Sequence, residues 1–130
     1  LVPLFDSLEY FFGNENLEYL IEKRNIEIVP LAYMRGRTLN NACIILDEAQ
    51  NATSGQIKMF LTRLGKNSQM VVVGDITQID LVSEKDSGLK DALKKLNKVD
   101  DIGFIELSEK DVVRHDLVKK IINAYEKHKS

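Results

Sequence analysis

Disulfide and zinc chemistry are the first things this sequence lacks. A single cysteine, Cys43, leaves no internal disulfide and no Cys-rich zinc site. Two histidines leave little for a His-based metal site. Proline is scarce, at Pro3 and Pro30 only, and no Ser/Gly stretch divides the chain, so residues 1–130 read as one continuous unit. No apolar run approaches the roughly 18 to 20 residues a membrane helix needs, so no membrane role is expected. Neither charge sign dominates: 18 Lys and Arg stand against 20 Asp and Glu, a net charge of -2. That excludes a strongly basic nucleic-acid module and leaves room only for local basic patches. What is present is a globular balance, 44% hydrophobic and 29% charged residues over 130 positions, enough for one domain. No export or transit pattern follows Leu1, and with no disulfide to form, the cytoplasm is the expected compartment. The apolar opening Leu1-Val2-Pro3-Leu4 reads as a cut within a longer protein.

Periodicity divides the chain into alternating elements. Leu4, Leu8, Phe11 and Phe12 predict a helix from Pro3, and Leu17, Leu20 and Ile21 a second after a turn at residues 13–16. Ile26 to Val29 predicts a short strand, and Tyr33 to Asn41 a loop. Ala42 to Leu46 is a continuous apolar run, as expected of a strand buried on both faces, with Cys43 an inert buried thiol. Thr53 with Gln56 three residues on forms a capping box for a helix carrying Ile57, Phe60, Leu61 and Leu64, closed by Gly65. Met70 to Val73 predicts a second buried strand. Leu89, Ala92, Leu93 and Leu96 mark another helix, Ile102 to Leu107 a strand, and Val118, Ile121, Ile122 and Tyr125 a final helix. Strands alternating with helices imply an α/β class with parallel strands.

Ligands in such sheets bind beyond the carboxyl ends of the strands. Two strands here run into acids. The first gives Ile44-Ile45-Leu46-Asp47-Glu48-Ala49-Gln50, the form of a Walker B motif. There an Asp can hold Mg²⁺, usually through water, and a Glu can activate a water for attack on a γ-phosphate. The same residues also fit an acidic turn leading into the Thr53 helix. The second strand runs into Gly74-Asp75-Ile76-Thr77-Gln78, where a Gln can reach a γ-phosphate or its attacking water, or can stand exposed on a Gly-Asp turn. Arg35 and Arg37 flank Gly36 on a loop. They suit a phosphate, of nucleotide or RNA, or a neighbouring subunit's nucleotide in a homo-oligomer, and equally suit pairing with nearby carboxylates. Arg63 reads as a solvated residue near a helix end. Lysines at 94, 95 and 98 and at 119 and 120 read as solvated helix faces.

Residues 47–50 and 74–78, separated by a helix, resemble motifs II and III of superfamily 1 helicases. The wider wording is closer to the PhoH-like family of phosphate-starvation-inducible ATPases. The stretches that carry it are Ile28 to Leu39, Ile44 to Asn51, Phe60-Leu61-Thr62-Arg63-Leu64-Gly65 and Glu109-Lys110-Asp111-Val112-Val113-Arg114-His115. The resemblance runs from near residue 1 to about residue 126. It implies a RecA-like P-loop NTPase of three-layer αβα form with a mainly parallel sheet, binding ATP and Mg²⁺ as a hydrolase. By position, Asp47 would serve Mg²⁺, Glu48 would activate water, Gln78 would sense the γ-phosphate and Asp75 would shape its turn. Gln50 would link the nucleotide site to neighbouring elements. Arg114 would stabilise charge on the transferring phosphoryl group. RNA is the implied target of the coupled work.

One motif of that family is not in this sequence. Gly-x-x-x-x-Gly-Lys-[Ser/Thr] cradles phosphates in P-loop enzymes. The single Gly-Lys pair, Gly65-Lys66, has Phe60 where the upstream glycine belongs and Asn67 after it. The chain is therefore expected to be the C-terminal portion of one PhoH-like domain, incomplete on its N-terminal side. Its sheet should then have a gap between the strands at 70 and 102, and the chain alone should bind ATP poorly. The competing expectation is a non-catalytic RNA- or protein-binding α/β module with a degenerate site.

Overall fold

The structure, a computed structural model, describes residues 2–78 and 87–128. The chain divides into two compact units, Leu1–Lys98 and Val99–Ser130.

The first unit is α/β. Helix α1 (Val2–Phe12) and helix α2 (Asn14–Glu22) pack together across Gly13, whose φ of 77° turns the chain in the left-handed region glycine tolerates. The turn expected at residues 13–16 is thus shorter, and α2 starts at once. Residues 26–29 form no strand. A 3-10 turn, Leu31–Met34, follows Pro30 and buries Met34. Strand β1 (Cys43–Leu46) pairs in parallel with strand β2 (Gln69–Val72), with Cys43 opposite Gln69 and Leu46 opposite Val72. Helix α3 (Ser54–Leu61) makes the crossover between them. The capping box is present: Thr53 Oγ1 accepts from Gln56 N at 3.2 Å, and Gln56 Oε1 accepts from Thr53 N at 2.9 Å. Helix α4 (Gly88–Leu96) packs on α3, and Ser87 caps it through Lys90 N.

Alternation along the two strands decides where the core lies. Leu46 and Val72 turn inward with Leu31, Leu61, Leu89 and Ala92 around buried Ala49, Ala52 and Ile57. Cys43, Ile45 and Val71 are exposed, so the strands are covered on one face, not both, and the Cys43 thiol is not buried. A two-stranded sheet with helices on one side leaves the other side bare.

Gly65 does not close α3, which ends at Leu61 with Thr62 as its C-cap. Gly65 instead passes against the Leu39 carbonyl, and its amide donates to that oxygen at 2.9 Å. Leu64 leaves the helical stripe for an isolated parallel bridge with Leu39.

The second unit carries a 3-10 turn, Glu109–Asp111, and helix α5 (Asp116–Lys127). Residues 102–107 form no strand: Ile105 is 91% exposed. A strand's hydrogen bonds all come from a neighbouring strand, and none is present there among the described residues. The expected sheet order with a gap between strands at 70 and 102 therefore has no counterpart among the described residues. No described helix is long and apolar enough to cross a membrane.

Candidate active site

The site is built where the ladder between β1 and β2 runs out. Val73 N donates to Leu46 O at 2.9 Å, and Ala49 N donates to Val73 O at 2.9 Å. Between these two bonds the chain must place Asp47 and Glu48 without ladder partners. Glu48 takes the left-handed conformation, φ 55° and ψ 41°, which a non-glycine residue adopts at a cost of about 1 kcal/mol. Its amide donates to Asp47 Oδ1 at 2.9 Å. A 3-10 turn, Ala49–Asn51, then buries Ala49 and Gln50.

Gln50 is the hub. Its Nε2 donates to Glu48 Oε2 at 2.5 Å and to Gln78 Oε1 at 3.5 Å, while its Oε1 accepts from Asp75 N at 3.1 Å. One buried amide thus ties the end of β1 to the end of β2. Gly74 makes that approach feasible: a Cβ there would lie 2.7 Å from Leu89 Cδ2 and 3.1 Å from Gln50 N.

Asp75 anchors the second turn, Ile76–Gln78. Its Oδ1 accepts from Thr77 Oγ1 at 2.6 Å and from Thr77 N at 2.9 Å, and its Oδ2 accepts from Gln78 Nε2 at 3.0 Å. These donors, the Thr77 hydroxyl first, hold the Asp75 carboxyl below the usual carboxylate range.

Five of the residues singled out in the sequence are therefore joined in one hydrogen-bonded cluster: Asp47, Glu48, Gln50, Asp75 and Gln78. Arg35 and Arg37, in the same unit, make no hydrogen bond to it among the described residues. Arg37 Nη2 meets Glu27 Oε2 at 3.4 Å, an exposed pair of small worth. Arg35 is exposed on the same loop. Arg114 lies exposed in the second unit, between the Glu109–Asp111 turn and α5, with no strand before it. Arg63 is not simply solvated: it is half-buried, its Nε has no hydrogen-bond partner among the described residues, and Nη2 donates to Thr62 at 3.2 Å. Sequence reasoning missed Thr77 and Gly74. An Asp followed two residues later by Thr is a signal for the side-chain turn that Asp75 makes.

The family model for PhoH-like protein matches residues 1–126. The chain belongs to the PhoH-like family. It is 56% identical over 127 residues to a PhoH-like protein of Bacillus subtilis, covering 98% of this chain and 40% of that protein. A PhoH-like protein of Synechocystis is 53% identical, with 98% and 39% covered. Protein PhoH of Escherichia coli K12 is 46% identical over 125 residues, with 95% and 35% covered. The chain thus spans at most 40% of the length of these PhoH-like relatives.

The donor set of this PhoH-like segment fits a magnesium ion better than a transition metal. Among the described residues no group of three or more His, Cys, Asp and Glu converges. Mg²⁺ is commonly held by one or two carboxylates, its waters and substrate phosphates, not by a protein cage. Asp47 gives Oδ1 to the Glu48 amide and keeps Oδ2 for such a role.

Proposed function

We propose that this PhoH-like segment supplies the carboxylates and the sensor of a RecA-like site that hydrolyses ATP in the longer parent protein. The observation that supports it is the Gln50-centred cluster across the carboxyl ends of two parallel strands. An acidic turn that merely leads into a helix has no need of a buried amide tying it to the next strand.

Each residue then has a role its surroundings suit. Asp47 holds Mg²⁺ through water, and the ion, when bound, offsets phosphate charge. Gln50 occupies one oxygen of Glu48 and leaves Oε1 to orient and deprotonate the attacking water. Gln78, held by Asp75, senses the γ-phosphate. Arg114 neutralises charge on the transferring phosphoryl group. Arg35 and Arg37 take a phosphate of nucleotide or RNA, Arg37 only on release from its weak pair with Glu27. RNA remodelling in the cytoplasm is the work this reading couples to hydrolysis. In this reading residues 1–130 are the C-terminal part of one PhoH-like ATPase domain.

The test uses the parent. Glu48→Gln should abolish ATP hydrolysis while nucleotide binding persists; unchanged turnover would sink the assignment. The 130-residue chain, without Gly-x-x-x-x-Gly-Lys, should show no tight, stoichiometric Mg-ATP binding in calorimetry.

A further inference from the structure

Two side-chain amides meet in the cluster, and chemistry leaves each only one orientation. Buried Gln50 lies between a carboxylate and a backbone donor: Nε2 reaches Glu48 Oε2 and Oε1 reaches Asp75 N at 3.1 Å. Turning that amide over would set its oxygen against the carboxylate and its N–H against an N–H. Gln78 lies between Asp75 Oδ2, 3.0 Å from its Nε2, and the Gln50 amide, 3.5 Å from its Oε1. A carboxylate accepts and never donates, and the Thr77 donors favour the ionised form of Asp75. The Gln78 nitrogen therefore faces Asp75 and its oxygen faces Gln50.

Three of these bonds close a ring. Gln50 Oε1 takes Asp75 N, Asp75 Oδ2 takes Gln78 Nε2, and Gln78 Oε1 takes Gln50 Nε2. Gln50 commits both amide hydrogens, one to Glu48 and one to Gln78. The second hydrogen on Gln78 Nε2 has no acceptor among the described residues. The one free amide hydrogen of the ring thus belongs to Gln78, whose carbonyl is already taken.

We propose that Gln50 is a positioning residue that pins the Gln78 carbonyl, so that the sensor meets its ligand as a donor only. A donor recognises an acceptor oxygen, here that of a terminal phosphate, and holding an attacking water by its hydrogens falls to Glu48 alone. This deepens the ATPase reading and rests on it.

Nucleotide binding and turnover in the longer parent test it. Calorimetry with ADP and with a non-hydrolysable ATP analogue gives an affinity ratio that reads the terminal phosphate alone. Gln78→Leu should cut that ratio about tenfold, the loss of one hydrogen bond to a charged group. Gln50→Leu should cut it by less and leave ADP affinity unchanged. The double variant should fall no further than Gln78→Leu, because Gln50 acts on the phosphate through Gln78. Circular dichroism checks each fold. Where Gln50→Leu is unfolded, Gln50→Glu takes its place with the same expectation, since it keeps an oxygen for Asp75 N and lacks the donor. If Gln78→Leu lowers the ratio and Gln50→Leu does not, or if Gln50→Leu weakens ADP and analogue alike, the pinning is overturned and the sensor reading stands. If Gln78→Leu slows turnover with the ratio unmoved, the carbonyl works on the water and the donor-only sensor is overturned. An unmodified parent that neither hydrolyses ATP nor prefers the analogue to ADP overturns the ATPase reading itself, and the proposal with it.

Discussion

Gln50 Nε2 donates to Glu48 Oε2 at 2.5 Å, and the same amide's oxygen accepts from the Asp75 backbone. Gln50→Leu keeps the volume and removes these two bonds together with the longer one to Gln78 Oε1. The Asp75 amide and the Glu48 carboxylate then lose a partner at a half-buried junction. Chemical denaturation of the chain should show a loss of about 1–3 kcal/mol, the cost of leaving such groups unsatisfied. A change within a few tenths would mean the hub holds nothing together.

Two glycines give a matched contrast. A Cβ at Gly88 would meet the Thr53 carbonyl oxygen and lie 2.8 Å from the Ala52 oxygen, backbone that cannot swing away. At Gly103 nothing lies within 4 Å. Thermal melts should show Gly88→Ala destabilised by about 1–3 kcal/mol. Gly103→Ala should stay within about 0.5 kcal/mol of the unmodified chain.

Thr53 caps α3 from both directions, as acceptor for Gln56 N and as backbone donor to Gln56 Oε1. Thr53→Ala should cost about 1 kcal/mol in denaturant. Thr53→Ser, which keeps the hydroxyl, should recover most of it.

Asp75 predicts a pH dependence with a definite sign. Its folded-state pKa lies below the unfolded value because Thr77 and Gln78 donate to the ionised carboxylate. The ionised form is favoured in the fold, so its contribution is present above the unfolded pKa and fades as pH falls through the folded one. Carboxyl-carbon NMR should place the Asp75 midpoint below that of an unfolded Asp. Thr77→Val, which removes the hydroxyl and keeps the amide, should move it upward. An unmoved midpoint would show that the hydroxyl bond does not form in solution.

Local patterns carried much of this into the sequence, and they failed where structure depends on distant partners. Thr53 and Gln56 sit three residues apart, so their capping box was legible. Asp47, Glu48, Asp75 and Gln78 could be read because strands ending in acids announce themselves. Gln50 as a link between elements came from the family resemblance; spacing alone could not show it as the hub, since two of its three partners, Asp75 and Gln78, lie 25 and 28 residues away. Residues 102–107 have strand-like composition, but a strand exists only with a neighbour to bond. Cys43 and Ile45 looked buried because an apolar run does not say how many faces are covered. Gly65 looked like a helix cap because its close contact, the Leu39 carbonyl, is remote in sequence.

The parallel register has a consequence for how this segment tolerates length changes. Cys43 faces Gln69 and Leu46 faces Val72, so Asp47 and Asp75 are held at fixed heights by counting along two short strands. Residues gained or lost in the connection after α3 leave that count intact. One residue inserted inside either strand would raise one acidic turn by about 3.3 Å against the other and reverse which side chains face the core. Gln50 could then no longer span the two. Length variation in this segment should therefore be confined to its connections, and the two four-residue strands should behave as a ruler that admits no added mark.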